Sequence, residues 1–156
     1  MCINSKYHNR GLHIDGLTFK TLYHPQRDVD HIACLRLLLK YGADPSKPSG
    51  PSRKLPLFKA LKSSSYLFLQ LLIDYDKSKS ETLNTLNQKN KSLLCCLVEM
   101  EDSDDNYQKL KLLISAGARC AVTAPDHHPL YIALSHYKTR IVKYLIMNSD
   151  ALKCID

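Results

Sequence analysis

Leu55-Pro56-Leu57-Phe58-Lys59-Ala60 and His128-Pro129-Leu130-Tyr131-Ile132-Ala133 share one form, x-Pro-Leu-aromatic-x-Ala. A weaker copy, Ser92-Leu93-Leu94-Cys95-Cys96-Leu97, lies between them, and Gly16-Leu17-Thr18-Phe19 precedes all three. The equivalent positions Thr18, Leu55, Ser92 and His128 follow one another at 37, 37 and 36 residues. Self-similarity at a nearly fixed period marks a repeat architecture and decides the fold before any local reading does. Proline suits the first turn of a helix, because the N–H it lacks would be unpaired there anyway. Each copy therefore reads as the start of a short helix.

Downstream of each start comes a second, richer apolar run: Leu35 to Leu39, Leu69 to Ile73, Leu110 to Ile114 and Val142 to Ile146. Gly42 and Gly117 follow two of these runs, where a helix ends with positive φ at no steric cost to glycine. Asp76 and Asn148 or Ser149 stand at the corresponding places in the other two, and are expected to take the same conformation. Each unit is then a helix, a turn, a second helix and a protruding loop. Neither helix can bury its apolar face alone, so neighbouring units must stack. Pro25 makes the first unit irregular, and the third carries an acidic insertion, Glu101-Asp102-Ser103-Asp104-Asp105, expected to be a solvated bulge.

These motifs resemble those of the ankyrin-repeat family, whose first helix opens with Thr-Pro-Leu-His-x-Ala and whose period is about 33 residues. Leu38-Leu39-Lys40-Tyr41-Gly42-Ala43-Asp44 is similar to the family's Leu-Leu-x-x-Gly-Ala-Asp ending. The resemblance implies an all-α solenoid of stacked helix-turn-helix units with protruding loops. It would have about four degenerate repeats, near 16–50, 51–87, 88–123 and 124–156, behind an N-terminal cap or unordered segment at 1–15. The longer period implies loops that have absorbed extra residues.

Composition agrees with one folded unit: 156 residues with 44% hydrophobic content can bury a single core. The first ten residues lack a secretory apolar stretch, and Leu93 to Val98 is too short to cross a bilayer. Six cysteines at 2, 34, 95, 96, 120 and 154 form no CxxC pair, which favours reduced thiols in the cytoplasm or nucleus. Leu145 and Ile146 leave the last unit no more polar than the internal ones. The array is therefore expected to continue, or to pair with something at that end.

Asp102, Asp104 and Asn106 have the spacing that begins a calcium loop, but Tyr107 stands where the turn requires Gly, and Leu113 where a bidentate Glu should be. His127, His128, His136, Cys95 and Cys96 have no tetrahedral-site spacing. Cys95 and Cys96 are better read as small buried hydrophobes, and His128 as a helix cap. No nucleophile elbow, phosphate loop or zincin motif is present. The expectation is a non-enzymatic protein with no catalytic, cofactor-binding or metal-binding residues.

The resemblance implies instead a concave face, built from loop tips and first helices, that binds another protein. Carried over position by position, the partner-binding candidates are Ser52, Lys54 and Lys62, then Lys89, Lys91 and Glu99, then Pro125, His127, Tyr131 and His136. Loops 44–54, 76–91 and 118–127 together hold eight Lys or Arg against four acids, within a chain of net charge +7. An acidic segment of a partner is the natural guest. The implied role is an adaptor, scaffold or recognition subunit, for example in a ubiquitin-ligase or signalling assembly, though no degradation-linked box is recognisable after Met147. The alternative is a regulator that touches nucleic acid through the basic loops; it is disfavoured because aromatics are not interleaved with the lysines.

Overall fold

The computed structural model describes residues 25–48, 54–62, 65–120 and 127–154. The segment 1–15, the helix start at Thr18, and the candidates Ser52 and Pro125 lie outside them. The elements are α1 (Pro25–Lys40), α2 (Pro56–Ala60), α3 (Tyr66–Tyr75), α4 (Lys79–Leu83), α5 (Leu93–Glu99), α6 (Asp104–Ser115), α7 (Pro129–Ser135) and α8 (Thr139–Asn148), closed by a 3-10 turn (Ala151–Cys154). No strand occurs among the described residues, so this part of the chain is all-α.

Leu55, Ser92 and His128, aligned by their spacing, are the N-caps of α2, α5 and α7. Each has extended backbone, and the side chains complete the cap differently. Leu55 relies on Pro56 at the first position and makes no side-chain cap bond. Ser92 Oγ accepts the Cys95 N–H at 3.2 Å, and His128 Nδ1 accepts the Leu130 N–H at 3.3 Å. A cap of this kind contributes about 1 kcal/mol.

Gly42 and Gly117 have φ of +91° and +103° and close α1 and α6 in the same way. Their N–H groups donate to Leu39 and Ile114, while the following Ala43 and Ala118 N–H groups donate to Leu38 and Leu113. This pair of bonds satisfies carbonyls that a helix end otherwise leaves unpaired, and it needs positive φ at the glycine position. The expectation that Asp76 and Asn148 or Ser149 would copy this turn is not met. Asp76 has φ −79° and Ser149 φ −133°, while Asn148 remains the last residue of α8. A side chain does the work instead. Asp76 Oδ1 accepts the Ser78 N–H at 2.8 Å and starts the turn into α4, an extra helix in the long loop. Ser149 Oγ donates to Leu145 O at 2.6 Å and accepts the Ala151 N–H at 3.1 Å.

α2–α3, α5–α6 and α7–α8 pack as helix pairs, and the principal packings beyond these pairs run α1 on α3, α3 on α6, and α5 on α7. One apolar core threads the stack, with Leu35, Leu57, Phe68, Leu72, Leu93, Leu110, Leu113, Ala133 and Leu145 essentially inaccessible. The last hairpin leaves Tyr131, Leu134, Ile146 and Met147 exposed.

Polar bolts fix successive hairpins in register. Lys109 of α6, only 1% exposed, donates from Nζ to Leu61 O at 3.1 Å and pairs with Asp105 at 2.6 Å. Asp105 in turn accepts the Tyr66 N–H at 3.0 Å at the start of α3. One hairpin further on, Lys138 donates to Val98 O at 2.5 Å and also to Met100 O. Arg140 bonds Asp102 at 2.8 Å and Asp104 at 2.6 Å, and lies 4.4 Å from the Tyr107 ring centre. The acidic insertion is largely exposed, as its reading from sequence implied, but Asp104 and Asp105 form the first turn of α6 instead of a bulge. Its carboxylates hold Arg140 and keep that guanidinium protonated well beyond its usual range.

A candidate partner-binding groove

An open groove of about 950 Å³ runs between the α2 hairpin and the α5 hairpin. Lys54 and Lys62 flank α2 on one side of it, and Lys89 and Lys91 come from the turn before α5 on the other. Asn87 builds that turn. Its N–H donates to Lys91 O at 2.9 Å, and its Oδ1 accepts the N–H groups of Lys89 at 2.8 Å and Lys91 at 3.1 Å. Asn90 takes the positive φ that so tight a reversal requires, +55°, a conformation Asn tolerates better than most residues. The Asn87 amide also donates to Cys96 Sγ at 3.2 Å, which ties the turn to α5.

Among the described residues, five lysines and two glutamates line the groove, a net +3. Lys54, Lys62 and Lys89 are exposed and pair with no carboxylate among the described residues. Lys91 differs: it is half-buried and bonded to Glu99 at the end of α5, and that bond raises its pKa. The floor is apolar, with Phe58, Leu86 and Met100 among its lining. Leu86 remains 38% exposed in the free protein.

Five of the candidates named from sequence, Lys54, Lys62, Lys89, Lys91 and Glu99, thus meet in one place. Three others do not. Tyr131 and His136 are exposed at α7, and half-buried His127 gives its carbonyl to the Cys95 thiol; none of the three lines the groove. Sequence reasoning missed Phe58, although it is the counterpart of Tyr131, three residues after the N-cap. It missed Met100, Leu86 and α4 because nothing in the repeat pattern marks an inserted segment as a wall.

Cys95 is fully buried and Cys96 half-buried. Burial pushes the Cys96 thiol up, opposite to the shift that makes a cysteine nucleophilic. No cluster of three or more His, Cys, Asp or Glu able to hold a metal occurs among the described residues. No helix among them is long and apolar enough to cross a membrane. Comparisons with family models, curated proteins and solved structures found no match to this chain.

Proposed function

We propose that the chain is an ankyrin-type helical-repeat module that binds another protein through the groove between α2 and α5. Three hairpins with N-caps at 36–37-residue intervals and two identical glycine closures support the solenoid reading. The observation that carries the binding role is the gathering of Lys54, Lys62, Lys89 and Lys91 from two successive units around one apolar floor. Such a surface suits an adaptor, scaffold or recognition subunit. The free cysteines, Cys34, Cys95, Cys96 and Cys120, favour a reducing compartment, the cytoplasm or nucleus.

Charge reversal of the four lysines tests this reading. Partners captured by the wild-type chain and quantified by mass spectrometry should fall at least about tenfold with the quadruple Glu variant, the effect of losing several complementary charges. Unchanged capture by a variant of wild-type helicity would remove the groove from any binding role.

A further inference from the structure

Resting on the protein-binding reading above, we infer that the groove takes an acidic peptide segment carrying one large apolar side chain, and that Glu99 is the protein's own competitor for it. The two parts of the guest follow from two parts of the site. Lys54 and Lys62 on one rim and Lys89 on the other present ammonium groups that no carboxylate of the described residues occupies. Between them Phe58, Leu86 and Met100 offer an apolar surface, with Leu86 left over a third exposed. Methionine and leucine side chains adapt to whichever apolar group arrives. Acidic residues on the guest answer the rims, and one buried apolar anchor answers the floor.

A polynucleotide fits less well. Base stacking needs exposed aromatic faces in series. Among the described residues the groove has the single half-buried ring of Phe58, and the carboxylates of Glu81 and Glu99 would oppose phosphates.

Glu99 gives the site a threshold. It already holds Lys91, with the two side chains 38% and 22% exposed. A guest carboxylate reaching Lys91 exchanges one ion pair for another and leaves Glu99 unpaired near the incoming charge. The net gain there is small, so weakly acidic segments are rejected. Replacing Glu99 by Gln removes the competitor and frees Lys91.

A random dodecapeptide display library selected on the wild-type chain, then counter-screened on Lys54→Glu/Lys62→Glu/Lys89→Glu, tests the inference. All three lysines are exposed, and circular dichroism verifies that the variant keeps its helices. The best groove-dependent peptide is then titrated by fluorescence anisotropy against wild type and Glu99→Gln. Supporting results are peptides rich in Asp and Glu around one Leu, Ile, Met or Phe, binding Glu99→Gln about three to five times more tightly, the size of one exposed ion pair. Groove-dependent peptides that are neutral or basic, that lack the apolar residue, or that ignore Glu99→Gln overturn the inference and leave the module reading standing. If no selected peptide depends on the groove, both fall. Groove-dependent binding of oligothymidylate tighter than that of any peptide also overturns it.

Discussion

The junction between the α2–α3 and α5–α6 hairpins and the one between the α5–α6 and α7–α8 hairpins perform one task in two environments. Leu61 and Val98 each lie six residues beyond an N-cap, at the end of a short first helix whose last carbonyls have no partner within the helix. In both junctions a lysine from the next hairpin supplies the missing donor. Lys109 does so from inside the core, while Lys138 is half-buried and its neighbour Arg140 holds its carboxylates in solvent. A charge in the interior is held by every bond it makes, since none can be replaced by water. The same bonds at the surface exchange freely with water and salt. The inner junction should therefore be the structural lock, and the outer one the place where the helix packing first opens.

Lys109→Ala should separate the two most sharply. It strips the donor from Leu61 O and leaves Asp105 without its cation, and breaking a pair with one buried partner costs about 3 kcal/mol. Urea denaturation followed by circular dichroism should show that loss nearly unchanged as salt is raised. Arg140→Ala should cost less, and its effect should shrink with salt, because the Asp102 and Asp104 pairs are exposed. Equal losses, or a salt-sensitive Lys109 effect, would remove the distinction between the junctions.

The caps sharpen the contrast further, because Ser92 and His128 occupy equivalent places and only one of them titrates. His128 must be unprotonated at Nδ1 to accept the Leu130 N–H, and burial lowers its pKa from the usual 6.5, partly offset by Asp150. An unfolded chain takes up the proton near pH 6.5, while the folded cap resists it to lower pH. Protons therefore favour unfolding in that window. The cap's contribution is complete above about pH 6.5 and declines as the pH falls below it. His128→Thr, which keeps an N-cap oxygen, should abolish this part of the acid sensitivity in melts between pH 7.5 and pH 5 (~2.5 pH units, spanning the ordinary histidine range). Parallel curves for the two proteins would show that His128 does not carry it.

Local chemistry made some of this legible in advance. Pro56, Pro129, Ser92 and His128 announce helix starts, and Gly42 and Gly117 announce helix ends, because those conformations depend on a residue and its near neighbours. The five groove residues were reachable through the ankyrin resemblance, whose partner-binding positions, carried onto this chain, include them. What stayed hidden depends on distant partners. Nothing near Lys109 says that its amine ends at Leu61, 48 residues earlier. Nor does the acidic run at 101–105 reveal that Arg140 will hold it. Asp76 misled because a carboxylate can close a helix by bonding onward to Ser78, with no need of the left-handed turn that glycine makes.

Tyr137 carries the smallest expected effect and tests the outer junction from the backbone side. It closes α7 with the same bonds as the two glycines: its N–H donates to Leu134 O at 3.1 Å, and the Lys138 N–H donates to Ala133 O at 2.9 Å. Its φ is +55° and its side chain is 91% exposed, so the ring gains almost nothing from packing while the backbone bears the left-handed strain. Relief of that strain is worth about 1 kcal/mol, offset in part by the greater freedom glycine gives the unfolded chain. Tyr137→Gly should thus stabilise by about 0.5 kcal/mol. Gly117→Ala should lose a similar amount for the mirror reason, since a Cβ there meets no atom within 4 Å and only its φ of +103° is unfavourable. Because Lys138 follows directly, a corner relaxed at residue 137 should also hold the Val98 and Met100 carbonyls more firmly. Hydrogen exchange at the end of α5 should then slow in Tyr137→Gly and stay unchanged in Gly117→Ala; a reversed order would detach the outer junction from the turn that precedes it.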